Sequence, residues 1–269
     1  MIDILLPTYN GAVYIRQQLD SIINQTYPEW HVIIRDDGSS DDTIEIINEY
    51  IVVYPHKFSL IRDNLGNQGT SGNIDLLMHH SSADYFMFCD QDDIWEPNKI
   101  EVCMQTMTSL EVNNPQKPIL VCSDACCIDE NNKVICNSFF ASQKFIDTTD
   151  SLYKMLALNI VQGSTTLMNR YVREVVKFIP KDYYHDAWVA CIVKYYGIVQ
   201  YLHQPLLRYR QHQNNVVGAL NVGPQYMIGK ISIIVNLFKH YKKTFALLPF
   251  RISILKWAIY KLIINLKRF

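Results

Sequence analysis

Short apolar runs alternate with blocks of helical period through the first half of the chain. Ile2 to Thr8 reads as a strand, and past Tyr9-Asn10-Gly11 the apolar positions Ile15, Leu19, Ile22 and Ile23 fall at helical spacing. Trp30 to Arg35 is the next strand. It ends in Asp36-Asp37-Gly38-Ser39-Ser40-Asp41-Asp42, a tight turn with a Ser N-cap and acids in the first turn of a helix through Tyr50. Phe58 to Arg62 is a third strand. A loop, Asn64-Leu65-Gly66-Asn67-Gln68-Gly69, feeds a helix capped by Thr70 or Ser71 that runs to about His80, and Tyr85 to Cys89 is a fourth strand. That strand stops at Asp90-Gln91-Asp92-Asp93-Ile94-Trp95, and Pro97 opens another helix. Alternation of this kind predicts an α/β fold, with mainly parallel strands joined by crossover helices.

The second half is less regular. It predicts a strand near Ile119 to Ser123, a turn at Asp129-Glu130-Asn131-Asn132 and a helix over about Ser151 to Leu158. Val161 to Thr166 reads as strand-like, a helix follows His185-Asp186, and a strand near Ile198 to Leu202 leads to Leu207-Arg208-Tyr209-Arg210-Gln211-His212.

In open α/β sheets, ligands bind beyond the carboxyl ends of the strands. Thr8, Asp36, Asp37, Asp90 and Asp92 all fall there, so one crevice is expected to collect them. Asp90-Gln91-Asp92 pairs two hard oxygen ligands that suit Mg²⁺ or Mn²⁺ and leave positions for a diphosphate, although acids after a strand also simply cap the next helix. Asp36-Asp37-Gly38-Ser39 is either an ordinary Asx turn or a carboxylate aimed at the N3–H of uracil or thymine. Asp186 is either a helix cap or a general base, and His212 a surface imidazole, a metal ligand or a diphosphate contact. Trp95 and Trp188 serve either the core or as apolar faces for sugar rings.

Charge is distributed unevenly. The formal net charge is −1, which argues against a nucleic-acid binder, but Tyr226 to Phe269 holds nine Lys or Arg and no Asp or Glu. Ile252, Leu255, Ile259, Leu262, Ile263 and Leu266 draw one apolar helical stripe in that tail, and basic residues interrupt every stretch long enough to span a bilayer. The tail is expected to lie on a membrane surface with Trp257 and Tyr260 at headgroup level, the competing account being a helix packed on its own domain. The division is a catalytic unit over 1–225 and a basic amphipathic tail over 226–269. No basic leader precedes the first strand, so a cytoplasmic protein is expected, peripheral on the inner face of the plasma membrane. The seven cysteines are then expected to be free thiols; Cys122, Cys126, Cys127 and Cys136 cluster without a C-x-x-C pair.

The joint occurrence is more specific than any single motif. Pro7-Thr8-Tyr9-Asn10, Asp36-Asp37-Gly38-Ser39, Asn73, Asp90-Gln91-Asp92-Asp93-Ile94-Trp95, His185-Asp186 and Tyr209-Arg210-Gln211-His212 follow in that order. Over about residues 2 to 218 the chain resembles the family 2 glycosyltransferases of the GT-A fold. Gln-Asp-Asp-Ile-Trp, His-Asp-x-Trp and Arg-x-His-x-x-Asn ending at Asn215 look most like bacterial rhamnosyltransferase-type members that build O-antigen or capsular polysaccharide. The resemblance implies a single Rossmann-like domain with a mixed, mainly parallel sheet. It also implies a donor pocket of Thr8, Tyr9, Asp36, Asp37, Asn73, Asp90 and Arg210, a Mn²⁺ or Mg²⁺ site of Asp92, Asp90 and His212, and Asp186 as the base. Many relatives read Glu-Asp where this chain has His185-Asp186, so residue 185 inherits no role. The implied activity is inverting, metal-dependent transfer from a dTDP- or UDP-sugar, with a lean to L-rhamnose, onto a polyprenyl-diphosphate-linked acceptor at the inner leaflet. UDP-hexose or UDP-N-acetylhexosamine transfer and a non-catalytic nucleotide-sugar-binding scaffold are the alternatives. A nucleotidyltransferase fits less well, because Tyr9-Asn10-Gly11 has no Lys or Arg beside it.

Overall fold

The computed structural model describes residues 1–212 and 243–268. The strands are β1 (Ile2–Thr8), β2 (Trp30–Asp36), β3 (Phe58–Ile61), β4 (Tyr85–Phe88), β5 (Ile94–Trp95), β6 (Ile119–Ile128), β7 (Val134–Cys136), β8 (Thr166–Asn169) and β9 (Ile198–Arg210). They form one sheet in the order β3-β2-β1-β4-β8-β6-β9-β5, with β7 paired to β6. β3, β2, β1 and β4 are parallel; β8 runs antiparallel between β4 and β6, β9 parallel to β6, and β5 antiparallel to β9. The sheet is thus mixed and mainly parallel, as expected.

Every residue of β1 is buried, which is why it reads as a continuous apolar run rather than an alternating one. Ile2, Ile4 and Leu6 enter one core and Leu5 the other, one core on each face of the sheet. The crossover helices that cover those faces are α1 (Ile15–Ile23), α2 (Thr43–Val53), α3 (Gly69–His80) and α4 (Lys99–Asn113). Later come α5 (Phe139–Ser142), α6 (Leu152–Ala157), α7 (Tyr171–Val175), α8 (His185–Tyr196) and α9 (Ile254–Arg268).

Several details differ from the sequence reading. Asp42 precedes α2, because Ser39 and Ser40 are drawn back to Asn10 in the β1 loop: Ser39 Oγ accepts the Asn10 N–H at 2.8 Å and the Ser40 N–H reaches Asn10 Oδ1 at 2.8 Å. Neither Thr70 nor Ser71 caps α3, which begins at Gly69. Val161 to Thr166 is not a strand: Gly163–Thr165 closes a 3-10 turn, and β8 starts at Thr166. Leu207 to Arg210 is the far end of β9, which stays on β6 through register shifts at Ser123/Asp124 and Asp124/Cys126.

α9 packs on α6. Trp257 is 3% exposed and its indole N–H meets the Leu156 carbonyl at 3.1 Å, Ile264 is buried, and Tyr260 stacks on Tyr153 at 6.0 Å. Trp257 and Tyr260 therefore face the protein instead of a headgroup layer. Leu255, Ile259, Leu262, Ile263 and Leu266 point away from it and are exposed. No helix of the described residues is long and apolar enough to cross a membrane. Asn215, the 225/226 boundary and the apolar cluster 231–238 lie outside the described residues. All seven cysteines are free.

Candidate functional site

The carboxyl ends of β1 and β2 are knitted by one carboxylate. Asp36 Oδ1 accepts from Thr8 Oγ1 at 2.8 Å and Ser39 Oγ at 2.6 Å, and Oδ2 accepts the N–H groups of Gly38 and Ser39 at 3.0 and 2.7 Å. Gly38 takes a φ of +92°, so the Asx turn is real and Asp36 sits half-buried at its apex. Asp37 is 4% exposed and faces inward. Its Oδ1 accepts from Arg35 Nη1 and the Gln68 N–H, both at 2.8 Å, and Oδ2 accepts the Gly69 N–H at 2.8 Å. Arg35, equally buried, carries the link on to Asp63 and the Gly66 carbonyl. Asp37 thus fixes the N-terminus of α3, where a carboxylate answers unpaired N–H groups. Buried Asn73 ties α3 to the Arg35 carbonyl at 3.0 Å and keeps an unpartnered Oδ1.

Tyr9 is half exposed, and its main chain is clamped by Gln91, which accepts its N–H and donates to its carbonyl, each at 2.9 Å. Gln91 joins the β1 loop to the acidic turn after β4. Sequence reasoning passed over it; an amide between two acids, able to donate and accept at once, was the available signal.

Three carboxyls crowd that turn. Burial and the Asp92 charge push the Asp90 carboxyl up to about 6. Asp93 is fully buried and driven well above the ordinary range by the same causes. Asp92 Oδ2 lies 2.8 Å from His212 Nε2, so the pair expected from sequence does meet. Arg210 is 0% exposed. Its guanidinium donates to the Asp92 carbonyl at 2.7 Å, Asn132 Oδ1 at 2.7 Å and Gln17 Oε1 at 2.8 Å, and lies 4.6 Å from the Tyr14 ring, while its own N–H donates to Asp93 Oδ1 at 3.0 Å. These bonds hold the acidic turn from behind; they do not serve the diphosphate contact expected of this residue.

Trp95 and Trp188 are 2% and 1% exposed, so both are core side chains and neither offers a face to a sugar. Over the Trp95 ring, at 3.6 Å, lies the ammonium of Lys99, itself fully buried and donating to the Ser164 carbonyl. Burial holds this amine down to about 8.

Asp186 stands half-buried in the first turn of α8. Burial raises its carboxyl, against which His185 and the N–H groups of Ala187 and Gly163 favour the charged form. His185 favours the charged form of Asp90 too, so it lies near both carboxyls. The ring meets Phe88 edge-on at 5.5 Å and covers Gly163 so closely that a Cβ there would stand 2.5 Å from Nε2. His185 is therefore a site residue, in the position where the sequence assigned none.

Among the described residues no three His, Cys, Asp or Glu side chains form a ready cage for a metal ion. The donor set still fits a hard cation. Mg²⁺-type sites use one or two carboxylates and leave the remaining positions to water and substrate phosphate, and Asp92 with Asp90 and the His212 imidazole supplies that number.

The family model described as Glycosyl transferase family 2 matches residues 3–176. A UDP-Glc:alpha-D-GlcNAc-diphosphoundecaprenol beta-1,3-glucosyltransferase, WfgD of Escherichia coli, is 24% identical over 90% of this chain and 83% of its own. The dTDP-rhamnosyl transferase RfbG of Shigella flexneri is 27% identical over 88% of this chain and 81% of its own. Among solved structures, S. aureus TarS 1-349 in complex with UDP-GlcNAc superposes with a TM-score of 0.64 at 14% identity, over all of this chain and 72% of that one. Against the same protein in complex with UDP, the match spans 60% of the TarS chain.

Proposed function

Because the chain belongs to glycosyl transferase family 2 and carries its GT-A fold, we propose that it is an inverting transferase moving a sugar from a nucleotide diphosphate onto a lipid-linked acceptor in bacterial surface polysaccharide synthesis. What supports the reading is the nearness of the acidic turn to Asp186: the Asp186 charge is felt at Asp90, and His185 lies near enough to both carboxyls to favour their charged forms. Asp186 takes the proton of an acceptor hydroxyl as the oxygen attacks the anomeric carbon and the bond to the diphosphate breaks. One displacement suffices, with no covalent sugar on the protein. Thr8, Tyr9 and Asp36 border the nucleotide, Asp37 and Asn73 hold that border from beneath, and Arg210 keeps the main chain of Asp92 in register. Asp92, Asp90 and His212 would hold Mn²⁺ or Mg²⁺, which when bound supplies positive charge beside the departing diphosphate.

The donor is taken to be dTDP-L-rhamnose, in line with the relative named dTDP-rhamnosyl transferase; WfgD gives UDP-glucose a specific claim as second reading. The acceptor is a polyprenyl-diphosphate-linked saccharide, the class that WfgD's name describes for that enzyme. For the partner surface, the exposed stripe of α9 and a tail without acids support docking on the inner, anionic leaflet.

The test is nucleoside diphosphate release from a panel of dTDP- and UDP-sugars with Mn²⁺ or Mg²⁺ and a lipid-linked acceptor extract. A single active donor, silenced by chelation and by Asp92→Asn or Asp186→Asn, is the expected result. Donor binding without release under any acceptor would favour the scaffold, and activity that survives chelation would remove the metal.

A further inference from the structure

Between the acidic turn and the proposed base lies the 3-10 turn Gly163–Thr165, whose groups point in three directions. The Ser164 hydroxyl is turned to the Asp90 and Asp93 carboxyls. On the other side, the Gly163 N–H is turned to Asp186, and the His185 ring lies so close over Gly163 that a Cβ there would stand 2.5 Å from Nε2. The Ser164 carbonyl points into the core, where it accepts from Lys99. Ser164 is 2% exposed and Lys99 0%, so this last bond is made away from solvent.

A buried ammonium is costly. Among the described residues its hydrogen-bonded acceptor is that carbonyl, and the Trp95 ring lies against it. A hydrocarbon side chain of similar length would fill the space beside Trp95 more cheaply, so the cation's use lies in what its donor holds. Its place in the sequence makes the link informative: Lys99 starts α4, seven residues past Asp92, and its bond crosses to a turn 65 residues away. One lysine thereby fixes the gap between the element bearing the acidic turn and the element touching Asp186.

We propose that Lys99 and Ser164 are positioning residues for sugar transfer, acting through the Gly163–Thr165 turn to set the distance between the acidic turn and Asp186. The inference rests on the transferase reading of the site. Without the Lys99 bond the turn loses its anchor, Gly163 drifts under the His185 ring, and Asp186 is no longer aligned with the bond that breaks. Water, which needs little alignment, attacks the donor sugar less affected than a bulky acceptor hydroxyl does.

Full-length Lys99→Met and Ser164→Ala variants test this by two readouts. Lys99→Met keeps the length and loses the donor; Ser164→Ala keeps the carbonyl that Lys99 bonds and loses the hydroxyl turned to the acidic turn, so it tests the other side of the same turn and is mild enough to fold if the first does not. In amide hydrogen exchange, peptides over 160–169 and 183–190 are expected to exchange about tenfold faster, while peptides over β1 and β2 keep wild-type protection. In kinetics with the donor found active in the panel, the ratio of acceptor transfer to donor hydrolysis is expected to fall about tenfold, with donor KM within about threefold of wild type. That ratio is blind to the fraction of folded protein. Wild-type exchange at 183–190 in both variants, uniformly faster exchange across the chain, or an unchanged ratio would each overturn the inference. A wild-type protein that releases no nucleotide from any donor would instead remove the transferase reading, and the exchange experiment would still decide the role of Lys99.

Discussion

On the proposed mechanism, a single proton at Asp186 decides the rate. Asp186→Asn keeps the shape and removes the base, so kcat is expected to fall by about 10³-fold or more in a transfer assay, while donor affinity measured by calorimetry stays unchanged. The pH dependence has a definite sign. Only the ionised carboxyl accepts a proton, and burial raises its pKa above the ordinary value of about 3.9. kcat/KM should therefore decline as pH falls, starting at higher pH than a solvent-exposed aspartate would allow; an acid limb at the ordinary value would contradict the burial. The placement of these residues was legible, because Asp36, Asp90 and Asp92 stand at or just past the ends of strands and Asp186 in the first turn of a helix. What was not legible is which groups face solvent. Arg210, Asp37, Trp95 and Trp188 have the composition of ligand-binding residues and the burial of framework, and burial depends on neighbours distant in sequence.

Helices and strands here meet at points with no slack. Gly197 ends α8, and a Cβ on it would stand 1.9 Å from the Pro118 carbonyl oxygen, a main-chain atom that has no rotamer to escape into. Gly197→Ala is expected to lower stability by about 2–4 kcal/mol in denaturant titration, because β9 and β6 must separate to admit the methyl. Arg35 joins β2 to the start of α3 through Asp37 and Asp63. Arg35→Met leaves a buried carboxylate without its cation and is expected to cost about 3–5 kcal/mol in the same measurement. The parallel strands were readable because burial on both faces makes them unbroken apolar runs. β8 was misplaced by a few residues for a physical reason: Val161, Thr165 and Thr166 are β-branched as strand residues tend to be, and what sets the boundary is the Gly163–Thr165 turn, held by tertiary bonds rather than by local propensity.

For the whole molecule the decisive feature is a C-terminal helix with two different faces. Trp257 and Ile264 anchor α9 on the body, so the outer stripe is free to meet another phase. The sequence pattern found the stripe and assigned the aromatics to the wrong side, since periodicity gives the width of an apolar face but not which of two apolar faces turns inward. Replacing Leu255 and Leu262 together by Ser is expected to reduce co-sedimentation with phosphatidylglycerol vesicles about tenfold or more, with an unchanged melting temperature. Raising salt is expected to weaken the wild type's binding in the same assay, as the basic residues are screened. Binding equal to wild type in the double variant would leave α9 as a packing helix only.

The turn that bears Asp92 is held by Arg210 and His212, about 120 positions later in the chain. During synthesis the first half emerges first and can bury its apolar strands, yet Asp92 lacks these ties until β9 and His212 arrive. On the proposed mechanism, competence for transfer therefore waits on β9. A ribosome product cut short before β9 is expected to be inert toward its donor, which spares the cell an enzyme that would squander activated sugar before it is complete.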